Sequence, residues 1–431
     1  MDLNLDNLKI CVIGLGYVGL PLARLFSTKY PTMGYDLNKA RVDAINSGHD
    51  DTMEVSGDLL RAAIDSHRLR CTTELDDIRE CNFYIVAVPT PIDRNYRPDL
   101  QPLIKASETI GKIIKKGDIV VYESTVYPGM TEEVCVPIIE KACGYRLNEY
   151  FYAGYSPERI NPGDRSHTVE KIKKVTSGST PEIAEFIDKV YDSVLENGTH
   201  LAPSIKVAEA SKIIENTQRD INIAFMNELA MIFNAMDIDI HDVLKAASTK
   251  WNFIRLTPGL VGGHCIAVDP YYLIQKANTY GVTPYVISAA RSINEGMGNY
   301  VATQTIKAMN RKGILVKDAK ILMLGVTFKE NCSDTRNTKI PTICQTLEEY
   351  TSRITVYDPW ADPERVMDEF GIEIKTDNLH ELSGRFDAVI LAVAHKDFSD
   401  INIRDFLSDP INGVVFDVKG ALPREMTDAR I

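Results

Sequence analysis

The residues of this chain best suited to covalent chemistry lie in Gly262-Gly263-His264-Cys265-Ile266-Ala267-Val268-Asp269-Pro270. A thiolate is a strong nucleophile, and two glycines just before it give the loop freedom to present the sulfur to a ligand. His264, Asp269 and Pro270 mark a constrained polar loop rather than packed core. A zinc site needs further ligands at suitable spacing, which His264-Cys265 alone does not supply, so a nucleophile and no metal is expected.

The second chemical signal is Gly14-Leu15-Gly16-Tyr17-Val18-Gly19, which follows an apolar run at 9–13 and enters a helical pattern at 20–27. Glycines so spaced allow a tight turn and bring a pyrophosphate close to a helix N-terminus. Asp36 stands 17 residues beyond Gly19, at the end of a second predicted strand at 32–35. A carboxylate there accepts ribose hydroxyls and repels a 2′-phosphate, so the expected cofactor is NAD. A nicotinamide site together with a nucleophilic cysteine implies an oxidoreductase that holds its substrate covalently and can take an alcohol past the aldehyde to the acid.

Other groups admit two readings each. Thr90 in Val88-Pro89-Thr90-Pro91 and Thr125 in Glu123-Ser124-Thr125-Val126-Tyr127-Pro128-Gly129 close predicted strands, where open α/β sheets bind ligands, yet ordinary turn threonines look the same. Tyr155-Ser156-Pro157-Glu158-Arg159-Ile160-Asn161-Pro162-Gly163-Asp164 is a charged surface loop or offers a general base. Lys212 and Asn216, four apart, share one helix face, with Asn227 within about 60° of Lys212. That stripe is a solvated face or a set of oxyanion stabilisers. Lys329 and Arg336, in Val326-Thr327-Phe328-Lys329-Glu330-Asn331-Cys332-Ser333-Asp334-Thr335-Arg336, hold phosphates or decorate the surface. Lys250 and Arg255 precede the cysteine loop and could reach phosphates in their own subunit or in a partner's.

These residues need elements to position them. The first part of the chain alternates β-rich runs, such as 84–88 and 118–122, with helical patterns, which predicts βαβ units and a parallel sheet. Between Ile205 and Met236 there is no glycine or proline. Apolar residues recur there at Val207, Ile213, Ile214, Ile221, Phe225, Ile232 and Phe233, predicting one helix of roughly 45 Å. No strict heptad persists, so it should bridge domains or pack on a partner subunit rather than form a coiled coil. β-rich runs resume at 320–325, 354–358, 388–393 and 414–417. The expected fold is α/β: two Rossmann-like doubly wound lobes joined by a long central helix and a helical middle domain, with domains at 1–202, 203–312 and 313–431.

With 431 residues, 44% hydrophobic and 25% charged, the chain has material for two or three domains and is neither disordered nor fibrous. A net charge of -12 argues against a broad nucleic-acid-binding face. The eight cysteines form no CxxC pair, as suits a reducing compartment. The apolar run at 10–23 is closed by Arg24, too short to span a bilayer. A cytoplasmic enzyme without nucleic-acid or membrane partners is expected.

In order and spacing, the glycine fingerprint, the Glu123 and Ser156-Pro157-Glu158-Arg159 motifs, the Lys212/Asn216 helix, the cysteine loop and the Lys329 loop resemble the UDP-glucose/GDP-mannose dehydrogenase family over essentially the whole chain. The resemblance implies NAD-dependent four-electron oxidation of a sugar-nucleotide C6 alcohol to the carboxylate, with two hydride transfers at one site. It makes Cys265 the nucleophile, Lys212 and Asn216 the oxyanion pair, Glu158 or Asp269 the activator of the hydrolytic water, and Thr125 a neighbour of that water. Gly14, Gly16, Tyr17, Val18, Gly19, Asp36, Thr90, Thr125 and Arg336 match cofactor contacts. Glu158, Arg159, Lys212, Asn216, Arg255, Pro258, Gly262 and Lys329 match substrate contacts. A homodimer paired through the central helix is implied as well.

The departures from the family pattern are informative. Arg159 stands where UDP-glucose members carry Phe, Pro162 where they carry a second Glu, and Val268 where they carry Lys. The segments 157–164 and 262–273 look like the branch acting on UDP-N-acetylhexosamines. UDP-N-acetylglucosamine or UDP-N-acetylgalactosamine is the expected substrate, for capsule and O-antigen precursors. UDP-N-acetylmannosamine and UDP-glucose are the alternatives. A two-electron 3-hydroxyacid dehydrogenase shares a Rossmann lobe and helical Lys and Asn, but needs neither the cysteine nor a third domain. A nucleotide-sugar sensor or inactive scaffold subunit would not need Cys265, Lys212 and Glu158 together.

Overall fold

The computed structural model describes residues 4–93, 96–160 and 168–431. The segment Asn161-Pro162-Gly163-Asp164, singled out above, lies outside the described residues. Two compact units divide the chain: residues 1–215 with 271–282, and residues 216–270 with 283–431.

In the first unit, β1 (Ile10–Ile13), α1 (Gly19–Ser27), β2 (Thr32–Tyr35), α2 (Lys39–Asn46), α3 (Gly57–Asp65), β3 (Leu69–Thr72), β4 (Phe83–Val86), α4 (Gln101–Gly111), β5 (Ile119–Tyr122), α5 (Val136–Cys143) and β6 (Tyr152–Tyr155) follow in order. Their six strands form an all-parallel sheet ordered β3-β2-β1-β4-β5-β6. Strands β1, β4 and β5 are buried at every residue, as parallel strands covered on both faces must be. Next come β7 (Lys174–Thr176), α6 (Pro181–Asp192) and β8 (Thr199–Leu201), with β7 and β8 pairing in parallel.

The long helix α7 (Ile205–Ala235) begins in the first unit and ends in the second. It is followed by α8 (Ile240–Ala247), α9 (Asp269–Thr279) and α10 (Tyr285–Arg311). The remaining elements are β9 (Ile321–Leu324), α11 (Ile340–Glu348), β10 (Ile354–Tyr357), α12 (Pro363–Phe370), β11 (Ile374–Lys375), β12 (Ala388–Leu391), β13 (Val414–Asp417) and β14 (Ala429–Arg430). Their strands also run all-parallel, in the order β11-β10-β9-β12-β13-β14.

Both sheets therefore have the doubly wound order, with a switch point between β1 and β4 and another between β9 and β12. The expected α/β architecture, parallel sheets at both ends and a helical middle, is the one observed. Predicted strands ran a residue or two long: Lys9, Val88, Asp118 and Val393 fall just outside. Helix α10 has no clean apolar stripe, because Arg291 and Asn294 are buried on it among Met297, Val301 and Ala302. Among the described residues, no helix is long and apolar enough to cross a membrane.

Candidate active site

Gly14 ends β1 at φ +89°, its N–H donating to the Tyr35 carbonyl at 2.8 Å. A methyl group on Gly19 would lie 1.7 Å from the Gly14 carbonyl oxygen, whereas one on Gly16 would meet nothing within 4 Å. The turn's own backbone thus demands two of the glycines, and the third leaves open space above it. Helix α1 starts at Gly19 with no side-chain cap and no acidic residue in its first turn, an N-terminus suited to an anion. Asp36 is fixed at the end of β2: one carboxylate oxygen accepts the Leu15 N–H and the other the Asn38 N–H, each at 2.8 Å. Arg41 donates to the Leu15 carbonyl at 3.0 Å and pairs with Asp50 at 2.7 Å. Thr90 is buried, its carbonyl accepting from the Tyr272 hydroxyl at 3.1 Å, while Tyr17, Val18 and Thr125 are half-buried. This shape and charge fit the diphosphate and ribose of a dinucleotide.

The second sheet repeats part of this geometry. Gly325 N–H donates to the Tyr357 carbonyl at 2.8 Å, and Val326 N–H to Asp358 Oδ2 at 2.7 Å. The residues after Gly325 are Val, Thr, Phe, Lys and Glu, and α11 starts only at Ile340. No glycine cradle follows β9.

The cysteine loop belongs to the second unit. Gly263 donates its N–H to the Arg336 carbonyl and accepts from Asn337 Nδ2, both at 3.0 Å. A methyl on Gly262 would lie 2.8 Å from Phe328 Cβ, and one on Gly263, at φ +79°, 2.8 Å from the Phe328 ring. The two glycines are there because the segment 328–337 packs directly on the loop. The Cys265 carbonyl accepts from Val268 and Asp269 at 3.1 and 2.8 Å, a turn that leads into α9. Cys265 is half-buried, unlike Cys11, Cys71, Cys81, Cys135 and Cys344. Burial pushes the Cys71, Cys135 and Cys344 thiols up to about 12, leaving them inert. Cys332 is also half-buried, but burial raises its pKa and its thiol donates to the Lys329 carbonyl at 3.3 Å.

Asp269 is buried and accepts from Asn216 Nδ2 at 2.5 Å, so two of the candidate residues meet within this unit. Arg336 forks onto Asp334 with Nε 3.0 Å from both carboxylate oxygens. Burial works to raise the Asp334 carboxyl, but the Arg336 guanidinium holds it below its ordinary value. Lys329 is half-buried, Arg255 exposed and Pro258 buried. Of the candidate cofactor contacts, Arg336 belongs to the second unit and the others to the first.

Lys212 and Asn216 on α7 are only 7% and 9% exposed, which removes the solvated-face reading of their stripe. Asn227 corrects an expectation. Its Nδ2 donates to the Gly259 carbonyl at 3.0 Å and to Asn294 Oδ1 at 2.8 Å, and its Oδ1 accepts the Gly259 N–H at 2.8 Å. The amide is committed to the backbone of the loop before Cys265 rather than to an oxyanion.

Glu158 is 6% exposed, so the surface-loop reading fails for it. Its Oε1 accepts the N–H groups of Arg159 and Ile160 at 2.5 and 2.7 Å, and its Oε2 accepts the Lys174 ammonium at 3.0 Å. Arg159 is exposed and pairs with Glu215 at 2.8 Å. Lys174 also reaches Glu123 Oε2 at 2.5 Å, and Tyr191 donates to Glu123 Oε1 at 2.6 Å. Burial pushes the Glu123 carboxyl up to about 7; Lys174 opposes this and the Glu158 charge adds to it. Burial would lower the Lys174 ammonium, but the two carboxylates together hold it above its ordinary value. Sequence reasoning missed Lys174 and gave Glu123 no role. A lysine within a three-residue strand carries no spacing signal, and its partners are distant in sequence. Among the described residues, no group of three or more His, Cys, Asp or Glu could hold a metal ion.

A glycine cradle on a doubly wound lobe, with a half-buried thiol on a glycine loop, defines a nicotinamide-dependent dehydrogenase. The chain belongs to the UDP-glucose/GDP-mannose dehydrogenase family, and it uses NAD. The family's NAD binding domain matches residues 8–195, its central domain 206–296 and its UDP binding domain 322–424. The UDP-N-acetyl-D-glucosamine 6-dehydrogenase of Pseudomonas aeruginosa is 54% identical over 99% of this chain and 100% of its own length. That of Salmonella typhi is 52% identical over 99% of this chain and 100% of its own length. The structure of a UDP-D-ManNAc dehydrogenase from Pyrococcus horikoshii superposes with a TM-score of 0.88 at 29% identity, covering 97% of this chain and 96% of that one.

Proposed function

We propose that this enzyme oxidises the C6 alcohol of UDP-N-acetylglucosamine or UDP-N-acetylgalactosamine to the uronic acid, supplying precursors for surface polysaccharides such as capsule or O-antigen. The observation that carries the reading is the Cys265 loop, two glycines pressed against Phe328 and a thiol that is half-buried where those of Cys71, Cys135 and Cys344 are fully buried. The names of relatives above 50% identity support the substrate class.

NAD would be held by Gly14, Gly16, Tyr17, Val18, Gly19, Asp36, Thr90, Thr125 and Arg336, and when bound would supply the acceptor for the hydride that C6 loses in each of two oxidations. Lys212 or a water accepts the alcohol proton in the first. The Cys265 thiolate then attacks the C6 aldehyde, and Lys212 and Asn216 hold the oxyanion that forms. Loss of the second hydride leaves C6 bound to Cys265 as a thioester. Water activated by Glu158 or Asp269, with Thr125 beside it, cleaves the carbon–sulfur bond and releases the uronate and the thiol. Capture on sulfur keeps the reactive aldehyde from escaping. Arg159, Arg255, Pro258, Gly262 and Lys329 complete the substrate contacts.

The domain division that accompanies this reading is NAD binding at 1–202, a central helical domain at 203–312 and UDP-sugar binding at 313–431. The enzyme works in the cytoplasm as a homodimer. On α7, Val207, Ile214, Phe225 and Ile232 are each 46–56% exposed. Their spacings of 7, 11 and 7 residues return to one line within about 20°, an apolar ridge fitted to a second copy of itself.

An NADH-release assay with UDP-N-acetylglucosamine, UDP-N-acetylgalactosamine, UDP-N-acetylmannosamine and UDP-glucose tests the proposal. Two NADH per sugar consumed, with preference for one of the first two, is expected. One NADH per sugar would instead identify a plain alcohol oxidation, and preference for UDP-glucose would overturn the substrate assignment.

A further inference from the structure

The proposed reaction leaves open where the proton of the hydrolytic water goes. Glu158 has one oxygen fixed by two backbone N–H groups, and the other faces Lys174. Lys174 has no exposed side-chain surface, nor has Glu123, and Glu158 keeps 7%. One ammonium thus faces two carboxylates in a dry place, and a net negative charge there favours uptake of a proton. Among the described residues, the titratable groups that face Glu123 are Lys174 from β7, Glu158 from the segment after β6 and Tyr191 from α6. The Lys174 ammonium also lies 5.6 Å from the centre of the Tyr191 ring.

We propose that Lys174 and Glu123 are positioning residues that carry away the proton Glu158 takes from the hydrolytic water. This rests on the reading of Glu158 as the base. As the water oxygen bonds to C6, its proton passes to Glu158 and the carbon–sulfur electron pair leaves on Cys265. Lys174 gives one proton to Glu123 at 2.5 Å and receives the one from Glu158 at 3.0 Å, so it stays an ammonium. Glu123 ends neutral, Glu158 returns to its anionic form, and no oxidant or reductant is involved. Burial, which pushes the Glu123 carboxyl up to about 7, makes it a competent proton acceptor near neutral pH.

Quenched-flow measurement on the full-length enzyme, with UDP-N-acetylglucosamine and NAD, separates the NADH burst from uronate release across pH. In the parent, uronate release should rise with pH through about 7, as Glu123 ionises and can accept a proton. Glu123→Gln should lose that limb and release uronate at least about tenfold more slowly, with the acyl-enzyme accumulating after the burst. Tyr191→Phe removes one donor to the Glu123 carboxylate, so it should move the limb to higher pH. Parent-like release and pH profile in Glu123→Gln would overturn the relay. Should that variant not fold, an unmoved limb in Tyr191→Phe would do so. Glu158→Gln separates the two levels: parent-like release there removes Glu158 as the base, whereas slow release there with silent Glu123 variants removes only the relay.

Discussion

Asn216 donates to a carboxylate, Asp269, that is 1% exposed, so removing its amide acts on chemistry and packing at once. Asn216→Ala should lower kcat by roughly 10²–10³, the usual effect of deleting an oxyanion donor. It should also cost about 1–3 kcal/mol of stability, because Asp269 loses a buried partner. Stopped-flow NADH kinetics beside thermal melting check both; an unchanged kcat in a folded variant would remove Asn216 from the oxyanion pair. At this scale the sequence was most legible where backbone demands are strict. Gly262 and Gly263 advertise the cysteine loop because nothing larger fits against Phe328. Glu123, Lys174 and Tyr191 were illegible, because their meeting depends on strands and a helix whose pairing no local pattern records.

In the loop from 254 to 262, the backbone of Gly259 is tied to helix α7 by the Asn227 side chain. Asn227→Ala would leave both the N–H and the carbonyl of buried Gly259 without the partner they have now. The expected cost is about 1–3 kcal/mol in stability. Because this loop carries candidate sugar-nucleotide contacts, KM for the UDP-sugar should rise more than kcat falls. Melting curves and steady-state kinetics measure this, and a variant with parent KM would show that the clamp does not serve the substrate. Helix α7 was readable because 31 residues without glycine or proline leave little alternative. Asn227 was misread on it, since helical phase tells which face a residue occupies but not which backbone it will meet. Helix α10 was not foreseen, as buried Arg291 and Asn294 interrupt its apolar pattern. Arg291 is tied to Asp220 at 2.6 Å and Asn294 to the same carboxylate at 2.7 Å, partners that only the fold supplies.

At the scale of the whole molecule, the repeated strand order in the two sheets was foreseen as two doubly wound lobes, from β-rich runs alternating with helical patterns. The order itself was not legible, because parallel neighbours are joined by crossovers and no run names its partner. The glycine fingerprint distinguishes the lobes: it follows β1 and is missing after β9. The exposed α7 ridge makes a prediction at this scale. Phe225→Glu combined with Ile232→Glu should convert a dimer to a monomer in light scattering while NAD binding persists. A variant that remains dimeric would place the interface elsewhere.

The central claim is that Cys265 carries the sugar between the two oxidations. Acid quenching of the enzyme during turnover with NAD and UDP-N-acetylglucosamine, followed by peptide mass spectrometry, tests it most directly. A UDP-sugar acyl adduct on the peptide containing Cys265 is predicted, absent when serine replaces that cysteine. Undiminished uronate production by Cys265→Ser, with no adduct on the parent, would contradict the account.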